Sequence, residues 1–170
     1  TYALQGNAEL ALTGYNEFQG KHKADPLADN LPVTIGSMFL GQNKPQEAIR
    51  YFDESLAIYP SGRFAGLSVV SKASAESKLG QNDSAAKTFQ DFLAKNPPPE
   101  IGVIAQFGLA NIYKDTAKWD DAITAYKAVL EKYPGTSQAV ESEYWLGIST
   151  QQKGDNAAAI PLLDKFVKAH

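Results

Sequence analysis

The amino-acid sequence predicts an all-α fold, a superhelical α-α solenoid built from repeated helical hairpins. Three features predict it: alanine recurs at one fixed spacing, apolar residues follow steps of three and four, and proline or glycine ends the helical stretches. The spacing is 37 residues, and it places alanine at Ala11, Ala48, Ala85, Ala122 and Ala159. A fixed period of this length indicates a repeat architecture in which each copy is one supersecondary unit.

Two further columns of residues repeat in the same register. Four places after each of the first four alanines stands an aromatic residue, which we expect in the core: Tyr15, Phe52, Phe89 and Tyr126. Twelve places before the last four alanines stand small residues: Gly36, Ala73, Ala110 and Gly147. Because a large side chain would hold two helix backbones apart, we expect the two helices of each repeat to pack closely at Gly36/Ala48 and at the equivalent pairs.

Prolines, glycines and capping residues mark the helix boundaries. We predict a first helix of each repeat near 26–41, 63–79, 99–116 and 137–152, second helices near 7–21, 44–58, 82–96, 118–132 and 155–169, and no strand. The chain is then one domain, 1–170, with a partial leading repeat, 1–25, and full repeats 26–62, 63–99, 100–136 and 137–170. A terminal apolar stripe has no following helix to cover it, so we expect a longer chain or a covering partner copy: Ile160, Leu163, Phe166 and Val167.

Composition argues against most kinds of chemistry. A net charge of −3 without a basic run argues against nucleic-acid binding, and no apolar run is long enough for membrane insertion. The chain has no cysteine, and its two histidines, His22 and His170, lie far apart, which leaves little material for a metal site or a catalytic triad. Neighbouring carboxylates such as Asp120 and Asp121 point apart on a helix. We therefore predict no enzyme activity, no catalytic residue, no metal and no cofactor.

The residues that repeat also carry a resemblance to a known family. The pattern of Leu109, Ala110, Tyr113, Trp119, Ala122, Tyr126 and Pro134 resembles the tetratricopeptide repeat. The segment YPGTSQAVESEYWLG at 133–147 resembles a longer variant found in bacterial envelope proteins, such as outer-membrane assembly lipoproteins and the Tol-Pal coordinator. The chain departs from the family at Lys72, Glu76 and Thr150, where larger apolar residues are usual, and in its longer period. The resemblance and the absence of cysteine together favour the periplasm or cell envelope, with the cytoplasm as the alternative.

The resemblance implies that the first helices line a concave groove that binds a polypeptide segment. The family's groove positions fall here on Val33, Ser37, Leu67, Val70, Ser74, Ile104, Phe107, Asn111, Lys114, Tyr144, Ile148 and Gln151. We expect Phe107 and Tyr144 to anchor the partner while contributing only modestly to folding, and Asn111 with Lys114 to offer a fragment of a carboxylate clamp. The alternative is that an extra turn in each first helix fills the groove.

Three functions remain open on the sequence. The first is a non-catalytic scaffold that binds a protein or peptide partner on the concave face. The second is a structural module that self-associates through its terminal helices, and the third is a recruiting domain of a larger enzyme. We favour the scaffold, because it explains both the repetition and the absence of clustered titratable side chains.

Overall fold

The computed structural model describes residues 8–22 and 25–170, and their regular structure is entirely helical. The helices are α1 Ala8–Lys21, α2 Leu31–Gly41, α3 Pro45–Ile58, α4 Ala65–Lys78, α5 Asn82–Leu93, α6 Pro99–Asp115, α7 Trp119–Lys132, α8 Ser137–Gln152 and α9 Asn156–Ala169, with a 3₁₀ turn at Pro26–Ala28. This order confirms the all-α prediction and the alternation of first and second helices. The division of the chain into one partial and four full repeats stays a prediction. Residues 1–7, 23 and 24 of the partial repeat lie outside the described ones.

Two predicted helix boundaries were wrong. The helix expected from residue 26 begins only at Leu31, after the 3₁₀ turn. Pro32 lies in the first turn of α2 and has no N–H to donate to the Ala28 carbonyl, so one continuous helix could not pass this point. The helix expected to run to residue 96 ends at Leu93, and Asn96 adopts a left-handed conformation with φ 51°.

The chain divides into two compact units, residues 1–85 (unit 1) and 86–170 (unit 2). In unit 1, α2 packs on α3, α3 packs on α4, and α2 also touches α4. In unit 2, the neighbours α6, α7, α8 and α9 pack in chain order, and α6 also touches α8. Each unit therefore brings two first helices side by side, α2 with α4 and α6 with α8.

The alanine and aromatic columns form the interior, as predicted. All five alanines are buried, and so are the four aromatic residues: Tyr15, Phe52, Phe89 and Tyr126. The glycines of the small column lie against large side chains of the second helix. A Cβ atom on Gly36 would lie 2.6 Å from a ring carbon of Phe52, and one on Gly147 would lie 2.5 Å from Leu163 Cδ2. The first helix of a repeat is thus kept small opposite the large residue of its second helix, and the closer pairing of Gly36 with Ala48 stays a prediction.

Candidate functional site

A cavity opens in unit 1 between the two first helices, α2 and α4. Its volume is about 380 Å³, and it is lined by Asn30, Val33, Thr34, Ser37, Met38, Phe64 and Leu67. Three of the predicted groove residues, Val33, Ser37 and Leu67, therefore lie around one cavity. The structure adds Phe64 and Met38, which the family pattern did not indicate.

The spacing of residues along α2 explains how the wall of the cavity forms. Residues 30, 33, 34, 37 and 38 lie at steps of three and four, so they share one face of the helix. Val33 and Met38 are buried and form an apolar floor, whereas Ser37 is exposed. Thr34 Oγ1 donates a hydrogen bond of 2.8 Å to the Asn30 carbonyl, so this hydroxyl is already satisfied within the helix. None of the seven lining residues carries a charge, and the cavity suits an apolar group.

A charged pair stands beside the cavity, at the loop that leads into α4. The backbone N–H of Arg63 donates to Asp29 Oδ2 at 2.8 Å, and Arg63 Nη2 lies 3.6 Å from Asp29 Oδ1. The Asp29 side chain is 4% exposed, whereas that of Arg63 is 76% exposed. The Arg63 guanidinium also lies over Phe64, with its central carbon 5.5 Å from the ring centre. Sequence reasoning missed this pair because both residues lie between helices, where the repeat pattern carries no signal.

In unit 2, Phe107 is more deeply built into the fold than expected. It packs against two core clusters of this unit, and its ring lies 6.1 Å from that of Tyr126. These contacts argue against the expectation that Phe107 contributes only modestly to folding, which stays a prediction. Tyr144 is 39% exposed and contacts the rings of Trp145 and Phe166 at 5.0 and 5.5 Å between centroids.

Asn111 and Lys114 already have partners within unit 2. Tyr126 Oη donates a 2.7 Å hydrogen bond to Asn111 Oδ1. Lys114 Nζ lies 3.0 Å from Asp115 Oδ1 and 4.0 Å from the ring centre of Trp145, a cation–π contact. A partner's carboxylate would have to compete with these contacts for Lys114.

The remaining predicted groove residues differ in exposure. Val70 is buried, and its carbonyl accepts a 2.9 Å hydrogen bond from Ser74 Oγ. Ile104 and Gln151 are exposed, and Ile148 is half-buried. That all twelve residues serve one partner stays a prediction.

The described residues contain no grouping suited to a metal ion, since no three His, Asp or Glu side chains come close enough together. Within the same residues, no helix is both long and apolar enough to cross a bilayer. Among the residues that the structure describes, the raised pKa values belong to tyrosines and to the exposed Lys153. Burial is the main cause for Tyr126, whose pKa lies well above its usual range, and the nearby carboxylates of Asp115 and Glu141 raise it further.

Comparisons with known proteins agree with the helical repeat. The sequence model of a tetratricopeptide repeat family matches residues 70–135 and 107–170, which together span more than half of the chain. No curated protein sequence matches.

Three solved structures illustrate the structural similarity. MamA (41-end) from Desulfovibrio magneticus RS-1 is 20% identical, with 98% of this chain and 88% of that one covered at a TM-score of 0.76. Nearly identical TPR-like repeats from Podosopora anserina are 19% identical over 98% and 89% of the chains, with a TM-score of 0.75. YrrB, a TPR protein described as having an unusual peptide-binding site, is 21% identical over 98% and 80%, with a TM-score of 0.73.

At these identities the likeness is one of fold, an α-α solenoid of helical hairpins. The family match rests on the sequence itself and covers all of unit 2. The chain belongs to the tetratricopeptide repeat family.

Proposed function

We propose that the chain is a non-catalytic interaction module that binds a polypeptide segment, one large apolar side chain of which enters the cavity between α2 and α4. The observation that carries the proposal is the cavity itself, with a volume of about 380 Å³, an apolar floor and no charged lining residue. Membership of the tetratricopeptide repeat family supports an interaction role. The peptide-binding site named for YrrB supports it as well, because that protein shares the fold.

The chemistry of the lining favours an apolar anchor over a charged one. Burying a charge without a partner is unfavourable, and the seven lining residues offer none. Val33, Met38 and Leu67 instead offer contact surface to an aliphatic or aromatic side chain. Asn30 and Ser37 can hydrogen-bond to the backbone of the segment that carries the anchor.

The test is a peptide selection with a variant that fills the cavity. Random short peptides displayed on phage are selected on the wild-type chain, and their affinities are then measured for Ser37→Trp. The control is Ser84→Trp, a substitution of another exposed helical serine in unit 1 that does not line the cavity. We expect peptides with a large apolar residue, at least about tenfold weaker binding to Ser37→Trp, and unchanged binding to Ser84→Trp. Equal affinities for both variants would rule out the cavity as the binding site.

Self-association is a second candidate, favoured by the surface of α9. Ile160 and Val167 are 68% and 75% exposed on this helix. Such side chains can be covered when two copies of the chain meet. Sedimentation equilibrium tests the proposal: the wild type should show a mass that rises with concentration, and Ile160→Lys/Val167→Lys should stay monomeric. A wild type that is monomeric at all concentrations would eliminate it.

We also propose a location in the periplasm of a bacterium, on the strength of the resemblance to the longer-repeat envelope variant and of the cysteine-free composition. Fractionation of the source cells with an antibody against the chain tests this proposal. Recovery with a cytoplasmic marker, and none with a periplasmic one, would contradict it.

A further inference from the structure

We propose that Arg63 selects an acidic side chain in the bound segment, next to the apolar residue that enters the cavity. This inference rests on the proposed function and deepens it by naming the partner's chemistry, an acidic–hydrophobic peptide. It starts from the position of an exposed guanidinium beside an otherwise uncharged cavity.

Three contacts fix Arg63 at this place. Its backbone N–H is held by Asp29 Oδ2, its guanidinium faces Asp29 Oδ1 at 3.6 Å, and the same group lies over the ring of Phe64. Phe64 itself lines the cavity, as does Asn30, the chain neighbour of Asp29. A segment that leaves the cavity past Phe64 therefore passes within reach of the guanidinium. A side chain that is already held in its binding position loses less conformational entropy when a partner binds.

The guanidinium keeps binding capacity after it has paired with Asp29. Arginine has five N–H donors in a planar fork, and at 3.6 Å the contact with Asp29 Oδ1 is an ion pair longer than a hydrogen bond. Asp29 is buried, whereas the Arg63 side chain is 76% exposed, so solvent reaches the guanidinium on the side that faces away from Asp29. An incoming carboxylate can thus accept two hydrogen bonds from the solvent side of the fork without displacing Asp29.

The charges of the surrounding helices favour an acidic partner over a basic one. Helix α2 carries no charged residue, and α4 carries Lys72, Lys78 and Glu76. Glu76 is buried, so these two helices present no exposed carboxylate to repel an acidic segment. Arg63 adds an exposed positive charge beside the cavity, and this charge favours an acidic partner although the whole chain is at −3.

The experiment compares peptides selected on the wild type with peptides selected on Arg63→Gln. Both selections use the same displayed library of random short peptides, and both are first depleted on Ser37→Trp. The Arg63→Gln substitution keeps the backbone N–H that binds Asp29, and thermal unfolding followed by circular dichroism checks that the variant is folded. Should Arg63→Gln not fold, Arg63→Lys replaces it, because lysine keeps the charge but lacks the planar fork.

We expect large apolar residues in both selections, with Asp or Glu at a fixed distance from them only on the wild type. In a synthetic peptide from the wild-type selection, replacing that acid by its amide should weaken binding about fivefold for the wild type and hardly at all for Arg63→Gln. With Arg63→Lys the loss should be intermediate.

Two contrary outcomes are distinguishable. If both selections give the same apolar residues and neither prefers an acid, the role of Arg63 is wrong while the proposed function stands. If no peptide remains after depletion on Ser37→Trp, the cavity does not bind peptides and both proposals fall.

Discussion

The pair of first helices in unit 1 and the pair in unit 2 occupy the same repeat register with different chemistry. Two periods of 37 residues lead from the cavity of unit 1 to the equivalent positions of unit 2. Val33 corresponds to Phe107, Ser37 to Asn111, Phe64 to Gln138 and Leu67 to Glu141. In unit 1 these side chains surround an apolar cavity. In unit 2 Phe107 is half-buried and packs against the core, and Asn111 accepts a hydrogen bond from the hydroxyl of Tyr126.

This difference separates what the repeat determines from what it leaves free. The alanine column is buried in both units, and so are the four aromatic residues four places on, because these positions hold the two helices of a hairpin together. The groove positions bear no such constraint, so volume and polarity can change from one repeat to the next. Partner recognition therefore depends on the side chains that each repeat carries at its groove positions, and a binding site has to be identified separately for each repeat.

The largest expected effect is a loss of stability, and it tests the alanine column that the two units share. Ala48→Leu and Ala122→Leu insert the same extra volume at equivalent positions that are fully buried in unit 1 and in unit 2. Each should lower the free energy of unfolding by about 1–3 kcal/mol, since a close-packed helix contact has no room for the added atoms. Urea unfolding measures the free energy of unfolding of both variants.

Tryptophan fluorescence separates the two units in this measurement. Both tryptophans of the chain, Trp119 and Trp145, belong to unit 2, whereas circular dichroism reports all helices. Ala122→Leu should move the fluorescence transition to lower urea, and Ala48→Leu should lower the circular dichroism transition. If only one of the two substitutions is destabilising, the alanine column does not play the same part in both units.

The sequence predicts the buried repeat positions of this molecule well and its groove positions poorly. The spacing of apolar and small residues predicts the buried columns and the helix order, and prolines, glycines and capping residues predict nearly all helix ends. Local backbone preferences and burial determine these features. The late start of α2 could have been predicted from Pro32 alone. The cavity and the position of Phe107 could not be predicted from the sequence, because they depend on which side chains of two separate first helices come into contact. The pair of Arg63 and Asp29 joins residues that are 34 positions apart in the chain, and no repeat pattern connects them.

The second prediction exchanges the residues that distinguish the two sites. Val33→Phe places the unit 2 residue in unit 1, where the ring can enter the adjacent cavity. Its effect on stability should stay below about 1 kcal/mol, while binding of selected peptides should fall at least about tenfold. The reciprocal Phe107→Val removes a ring that packs against two core clusters, so it should cost about 1–2 kcal/mol of stability and leave peptide binding in unit 1 unchanged.

Peptide titration and urea unfolding of both variants decide this prediction. Retained binding by Val33→Phe would show that the peptide does not use the cavity. Lost binding by a folded Phe107→Val would favour the partner site first expected around Phe107 and Tyr144.

The smallest effect concerns the hydrogen bond that Asn111 accepts in unit 2, at the position equivalent to Ser37 of the cavity. Tyr126→Phe puts into unit 2 the residue that stands at the equivalent place in unit 1, Phe52, and leaves Asn111 Oδ1 without its donor. At neutral pH the variant should be about 1 kcal/mol less stable than the wild type, the usual contribution of an intramolecular hydrogen bond.

At alkaline pH this difference should shrink, because burial raises the pKa of Tyr126 above its usual range in the folded chain. Below a pH of about 10 the tyrosine is neutral in the folded and the unfolded chain, so its stabilising contribution is fully present. Above the unfolded pKa of about 10, the unfolded chain loses this proton first, and stability falls by up to about 1.4 kcal/mol per pH unit. Tyr126→Phe lacks that proton, so the two unfolding free energies should converge near a pH of about 11. Urea unfolding of both proteins between about pH 7 and pH 11 measures the gap, and a gap that stays constant would mean that the Tyr126 hydroxyl ionises as readily in the folded chain as in the unfolded one.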